Sequence, residues 1–226
     1  VAKKYEIIIL SDEIYTELTF DREYKSISKY YPEGTIISSG LSKWCGAGGW
    51  RLGFFAIPKK LNFVLKTLKT LSSESFTAVS SPIQLAAVEA FQGNYSDYLN
   101  KTTAILDAVG NYVYDNLKSN KVLMQKPEGG FYLMPEFLNS KFKTSSEMCD
   151  DILTKSGVAL LPGSDFGFKP NKMLARLSYT DFNGEVFLKN TESGKKPDTD
   201  TIKKFAPNIV EGTKKLVDWS KSLWIH

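Results

Sequence analysis

The sequence predicts an α/β protein: part of a mixed, mostly parallel sheet, followed by a smaller α+β domain. Three observations predict it. Short, almost continuously apolar runs, at 5–10 (YEIIIL), 35–39 and 52–57 (LGFFAI), read as buried strands of a parallel sheet. Helical patterns with three-to-four spacing follow them. Beyond a long helix the chain changes to shorter strands near Phe131, Val158 and Leu174, separated by turns and helices.

The first run leads into Ser11-Asp12-Glu13-Ile14-Tyr15. Asp12 and Tyr15 therefore fall just past the carboxyl end of a strand, the edge at which open α/β sheets bind ligands. A mixed aromatic and charged loop over 16–32 leads to the second strand, and Pro58 closes the third. Leu61, Val64, Leu65, Leu68 and Leu71 share one helical face. Ser81-Pro82 opens the next helix, with Pro82 at its first position and Gly93 past its end. A long helix over 96–120 carries Tyr98, Thr102, Ile105, Val109 and Tyr112 along one side, the pattern of a connector. Placing the boundary inside it divides the chain into domains 1–105 and 106–226.

In the second part, Gly129-Gly130-Phe131-Tyr132-Leu133-Met134 reads as a strand entered through a turn. Thr144-Ser145-Ser146-Glu147 is a capping-box pattern for a helix to Ser156. Strands at 158–161 and 174–179 flank the loop Pro162-Gly163-Ser164-Asp165-Phe166-Gly167. Residues 190–200 (NTESGKKPDTD) read as a polar, mobile loop. The last helix, 207–223, presents Ile209, Thr213, Leu216, Ser220 and Leu223 on one face.

Composition removes several classes of function. The 226 residues are 42% hydrophobic and 24% charged, ample for a core. The net charge of +4 is spread along the chain without a basic, aromatic-rich block, which argues against nucleic acid. No apolar run approaches the ~18–20 residues that span a bilayer. Cys45 and Cys149 match no metal-ligand spacing, and a reducing cytoplasm is the expectation. The one histidine is His226, so Ser-His-Asp and Cys-His catalysis and His-ligated metals are set aside. The chain opens at Val1, shortly before an apolar run, and reads as part of a longer polypeptide.

Chemistry then falls to lysine, carboxylates, tyrosine and arginine. Lys43 follows the run Ile36-Ile37-Ser38-Ser39-Gly40 and precedes a glycine-rich segment. Desolvation at a strand end favours a neutral, nucleophilic amine of the kind that attacks aldehydes. Arg51, eight residues on, suits a phosphate. Each residue also has a plainer reading: Lys43 and Arg51 as surface cations, Asp12 as a helix N-cap, Tyr15 as core packing, and Arg176 as a sheet-edge arginine paired to a surface acid.

The stretch S-S-G-L-S-K followed by G-G-W-R-L-G resembles the cofactor-lysine region of the class I/II aminotransferases, fold-type I pyridoxal-phosphate enzymes related to aspartate aminotransferase. S-D-E-I-Y upstream, the G-G-F-Y and L-P-G-S-D-F-G turns, and A-R-L-S at 175–178 match the family in order across nearly the whole chain. The resemblance implies pyridoxal 5'-phosphate bound as a Schiff base to Lys43. It implies Asp12 against the ring nitrogen, Tyr15 on the phenolic oxygen, Arg51 and Ser42 on the phosphate, and Arg176 on the substrate α-carboxylate. It further implies amino-acid and 2-oxo-acid substrates and a homodimer; charge and hydropathy, as above, argue for no nucleic-acid and no membrane partner. Gly40 departs from the family, where a serine or threonine often stands three before the lysine. The family's N-terminal portion, with its glycine/serine phosphate loop and an asparagine, has no counterpart here. The expectation is a site incomplete in this segment alone, with apolar sheet edges exposed. A lyase or decarboxylase on the same lysine, and a non-catalytic interaction module, are the alternatives.

Overall fold

The computed structural model describes residues 1–20, 23–138 and 141–223; His226 lies outside them. The chain forms two compact units, Val1–Ser96 and Asp97–His226.

In the first unit, β1 (Ile9–Asp12) and β2 (Thr35–Gly40) run parallel, and β3 (Gly53–Ala56) pairs antiparallel on the other side of β2. The mixed three-stranded sheet has the order β1-β2-β3. The register opposes Ile9 to Thr35 and Asp12 to Ser38, so both parallel strands deliver their carboxyl ends to one edge. The first strand starts later than its apolar run predicts. Lys3–Tyr5 is a 3-10 turn, Glu6 is left-handed at φ 50°, and pairing begins only where Thr35 supplies a partner. Nor are these strands buried on both faces. Leu10 is 63% exposed and Phe55 51% exposed, and all of β3 is exposed. Composition records a capacity for burial; burial itself needs a layer packed on the face.

Helix α1 (Asn62–Ser75) and helix α2 (Ser81–Gln92) follow β3. Pro82 occupies the second helical position of α2, after Ser81, where its missing N–H is still one of the unbonded donors of a helix start. The anchor of this unit is Trp44, 6% exposed, whose ring meets Phe91 at 5.9 Å and Tyr95 at 6.2 Å between centroids.

Helix α3 (Ser96–Leu117) opens next to the division between the units. Of its expected stripe only Ile105 and Val109 are buried, while Tyr98, Thr102 and Tyr112 are half-buried; instead Ile105, Leu106, Asp107, Ala108, Val109 and Gly110 are covered in succession, and Val113 and Leu117 continue the face. Gly110 allows this, because a Cβ there would lie 2.8 Å from the ring of Tyr179.

The second unit carries two small antiparallel sheets. Strand β4 (Val122–Leu123) pairs with β6 (Glu136–Phe137), and β5 (Tyr132–Leu133) and β7 (Leu161–Pro162) flank β8 (Ala175–Ser178). Between β6 and β7, helix α4 (Ser145–Ser156) begins as its capping pattern predicts. The Thr144 hydroxyl accepts from the Glu147 N–H at 3.2 Å, and the Glu147 carboxylate reaches back one residue past the cap, accepting from the Lys143 N–H at 3.0 Å. Helix α5 (Gly184–Lys189) and helix α6 (Thr199–Phe205) precede α7 (Pro207–Ser222). The polar 190–200 stretch is shorter as a loop than expected, since Asp198 caps α6 by accepting from the Thr201 N–H at 2.8 Å. The stretch is also tied down: the ammonium of Lys196 lies 2.5 Å from the nearly buried carboxylate of Asp107 on α3. Helix α7 buries Ile209, Thr213, Leu216, Trp219 and Ser220, and the Trp219 indole donates to Asp151 on α4 at 2.8 Å.

Candidate functional site

Four of the six sequence-derived residues cluster in chain and fold around the carboxyl edge of β1 and β2. Asp12 is the last residue of β1, not just past it, and is exposed. Its Oδ1 accepts the Ile14 N–H at 3.3 Å, a local turn bond. That differs from the N-cap reading: the next 3-10 turn, Thr16–Leu18, starts from Tyr15 without a side-chain cap. Beyond it the backbone stays on the neighbouring strand, as the Glu13 N–H donates to the Ser38 carbonyl at 2.8 Å.

Lys43 stands in the turn just past β2, half-buried. That turn is held by its neighbours. The Trp44 indole donates to the Gly40 carbonyl at 3.1 Å, the Cys45 thiol lies 3.0 Å from the Leu41 carbonyl, and the Ala47 N–H returns to Leu41 at 3.2 Å. Burial pushes the Cys45 thiol up, which suits a thiol that packs over one that reacts. The Lys43 ammonium lies over the Tyr15 ring, 5.7 Å from its centroid. The structure thus brings Lys43 and Tyr15 together and sets Asp12 on the adjoining strand end. Ser42, half-buried, is in the same turn.

Gly40, the departure in the motif, has a steric reason. A Cβ there would stand 2.6 Å from the Leu52 carbonyl oxygen of β3's entry, inside any tolerable contact. With this backbone no serine fits, and whatever a hydroxyl would do must be done from elsewhere.

Arg51 is set apart from the lysine turn. It follows the 3-10 turn Gly48–Trp50 in the left-handed region, φ 55°, a conformation that is uncommon away from glycine. Its guanidinium donates to the Gly48 carbonyl at 2.8 Å and lines a cavity of about 1140 Å³ together with Ser38, Ser39, Trp50 and Phe54. Lys43, Asp12 and Tyr15 do not line that cavity.

Sequence reading missed Glu13. It is 8% exposed and accepts from the hydroxyls of Ser11 at 3.1 Å and Ser26 at 2.6 Å, tying the loop after β1 to the strand end that carries Asp12. Burial, aided by the Glu13 charge, pushes the Tyr24 phenol up. A glutamate beside an aspartate in a polar segment gives no signal of burial, so only the fold reveals it.

In the second unit Arg176 lies on β8, half-buried. Its Cζ is 4.4 Å from the ring centroids of both Tyr132 and Phe166. Among the described residues no carboxylate pairs with it, which sets it apart from a sheet-edge arginine bound to a surface acid. No group of acids, cysteines or histidines among the described residues is arranged to hold a metal ion, and no helix among them is long and apolar enough to cross a membrane.

The family model for aminotransferase class I and II matches residues 1–185. A probable N-acetyl-LL-diaminopimelate aminotransferase of Bacillus subtilis (strain 168) is 38% identical over 164 residues, covering 73% of this chain and 40% of the relative. An aspartate aminotransferase of Geobacillus stearothermophilus is 34% identical over 188 residues, covering 79% of this chain and 46% of the relative. The chain therefore spans less than half the length of these curated relatives. Among solved structures, alanine aminotransferase from Pyrococcus furiosus aligns with 98% of this chain and 51% of its own, at 27% identity and a TM-score of 0.77. An aromatic aminotransferase from Pyrococcus horikoshii OT3, at 24% identity and a TM-score of 0.75, shares the fold over 98% of this chain and 53% of its own.

Proposed function

Because the chain belongs to the class I and II aminotransferase family, we propose that it is the lysine-bearing portion of an aminotransferase moving an amino group between an amino acid and a 2-oxo acid. The family is one of pyridoxal 5'-phosphate enzymes, and the α/β fold described above is its fold. The observation that carries the reading is the juxtaposition of Lys43 and Tyr15 beside the strand end that bears Asp12.

The residues fit the cofactor in donor chemistry. Asp12 is an exposed carboxylate without an ion-pair partner among the described residues, as an anion for the pyridine nitrogen should be. Arg51 likewise has no acid partner among them and faces a cavity. The cofactor, when bound, supplies an electron sink for the substrate α-carbon. Lys43 would anchor it through Nζ and move the α-proton. Asp12 would hold the proton on the ring nitrogen, and Tyr15 would donate its O–H to the phenolic oxygen. Arg51, with the Ser42 hydroxyl, would neutralise the phosphate. Arg176 would orient the substrate by its carboxylate, offering two parallel N–H bonds.

Supply of the remaining walls by further polypeptide, and pairing of two such chains, belong to the same proposal. The exposed Leu10, Phe55 and Leu85 side chains support it. On this reading the 226 residues alone hold the cofactor weakly and do not turn over.

The test is covalent capture. After mixing with pyridoxal 5'-phosphate and reducing with borohydride, peptide mapping should find the pyridoxyl group on Lys43 in preference to the other lysines. Lys43→Ala should lose that adduct and the associated visible absorbance. Labelling spread evenly over surface lysines, unchanged in Lys43→Ala, would overturn the reading. In the longer polypeptide, spectral conversion by an amino acid and reversal by a 2-oxo acid would separate amino transfer from lyase or decarboxylase chemistry.

A further inference from the structure

We propose that Tyr132 and Phe166 are positioning residues that hold the Arg176 guanidinium as a fixed fork for a planar carboxylate; this rests on the functional reading above. The sheet β5-β8-β7 explains how two rings come to one arginine. Leu133 pairs with Leu177 and Tyr132 with Ser178, so along β8 the side chains alternate. Ala175 and Leu177 point into the core, 0% and 5% exposed, whereas Arg176 and Ser178 point to the other face. Tyr132 lies on that second face, diagonal to Arg176 across the β5–β8 pair, within reach of a long side chain. On the other flank Leu161 pairs with Arg176, and the chain continues from β7 into the 3-10 turn Gly163–Phe166.

That turn is built to deliver Phe166. Gly163 packs where a Cβ would stand 2.9 Å from the Leu174 carbonyl, and Gly167 leaves the turn at φ 81°. Strand β5 thus contributes one ring and the turn after β7 the other, and the Arg176 Cζ sits 4.4 Å from both centroids.

A guanidinium is a plane with five N–H donors around its rim. Rings stacked on its faces attract the charge through their quadrupoles and leave the rim for hydrogen bonding. They also limit rotation of a side chain that would otherwise sample many rotamers. No carboxylate of the described residues occupies the rim. The arrangement fits a planar, two-oxygen acceptor supplied from outside, and it lowers the ordering penalty on binding.

Two measurements test this. In the 15N-labelled protein the Arg176 Nε–H resonance, identified by its loss in Arg176→Lys, should lie upfield of ordinary arginines through ring currents and be rigid on the nanosecond scale. Tyr132→Leu and Phe166→Leu should each move it back, whereas Tyr132→Phe and Phe166→Tyr should not. A wild-type resonance at the ordinary position, with free side-chain motion, overturns the clamp without needing any variant to fold. In the catalytically competent polypeptide, with the amino donor found by spectral conversion, each leucine variant should raise KM on the order of 3- to 30-fold while kcat changes little. The ring-conserving variants should restore it. If Arg176→Lys raises KM but the leucine variants do not, the clamp fails and the fork stands. If Arg176→Lys leaves KM unchanged, the fork fails and takes the clamp with it. If no amino acid is converted at all, the functional reading fails, and the resonance alone still decides whether the rings hold the arginine.

Discussion

At the scale of the residue, Gly40 shows how a motif departure can be a packing decision. The family resemblance directs attention to a missing hydroxyl; the fold shows why no side chain stands there. β2 and β3 meet with Gly40 opposite Gly53, and the Leu52 carbonyl fills the space a Cβ would need. Gly40→Ser should therefore destabilise the protein by about 1–3 kcal/mol, the usual penalty for overpacking, and should not strengthen phosphate binding. Denaturant midpoints, with pyridoxal phosphate titrated into both proteins, check this; a Gly40→Ser variant as stable as the parent would show that the strands part easily at this point. Cys149 is the complementary case of a residue whose chemistry is silenced by place. Burial, with the charges of Asp150 and Asp165 adding to it, pushes its thiol up to about 11, so it packs and does not react.

At the scale of the element, the α4–α7 pair is fastened through Asp151, which accepts from the Trp219 indole at 2.8 Å and meets the Lys155 ammonium at 2.7 Å. Burial pushes the Asp151 carboxyl up, but the hydrogen bonds from Lys155 and Trp219 outweigh it and hold the group below the ordinary carboxylate range. A carboxylate with a depressed folded pKa contributes stability above its unfolded pKa and loses it as pH falls through the folded one. Acid should accordingly loosen this pair at pH values below the ordinary carboxylate range. Trp219→Phe removes one of the two donors. It should lower stability near neutrality by about 1–2 kcal/mol, with a smaller difference between variant and parent in strong acid. Circular-dichroism melts at pH 7 and pH 3 measure both arms; an equal loss at the two pH values would mean that ring packing, and not the charged bond, carries the effect.

The strand before Lys43 was readable because its β-branched residues are followed at once by small ones. The α4 cap was readable because Thr144 and Glu147 carry their own partners. The α7 face was readable because one period fixed Ile209, Thr213, Leu216 and Ser220 together. Helix α6 was not, since its cap, Asp198, sits in a run of polar residues that looks like loop until the N–H of Thr201 is seen to bond it. The late start of β1 was hidden for a different reason: a strand begins where a partner begins, and Thr35 is 26 residues away from Ile9. For the candidate site, Lys43, Tyr15 and Asp12 were nameable from motif order. The buried Glu13 and the two rings around Arg176 depend on register and turn geometry that no local pattern encodes.

For the molecule as a whole, the two units differ in how their apolar residues are used. In the second, Phe137, Met148, Ile152, Tyr179, Phe187 and Leu216 are covered almost completely. In the first, Leu10, Phe55, Phe63 and Leu85 all remain more than half exposed, at 63%, 51%, 60% and 73%. Exposed apolar surface of this kind is a surface that associates, and β1 and β3 are the outer strands of the three-stranded sheet. The 226-residue chain by itself should therefore bind an apolar fluorescent dye in its native state and sediment above the mass of one chain, increasingly so at higher concentration. Lys substituted at Leu10 and Leu85, two of these exposed positions, should reduce both signals while leaving the helical circular-dichroism signal intact, because neither side chain supports the core of its unit. A sharply monomeric chain with no dye binding would show that these faces are quiescent, and would remove the physical support for completion of the site by further polypeptide.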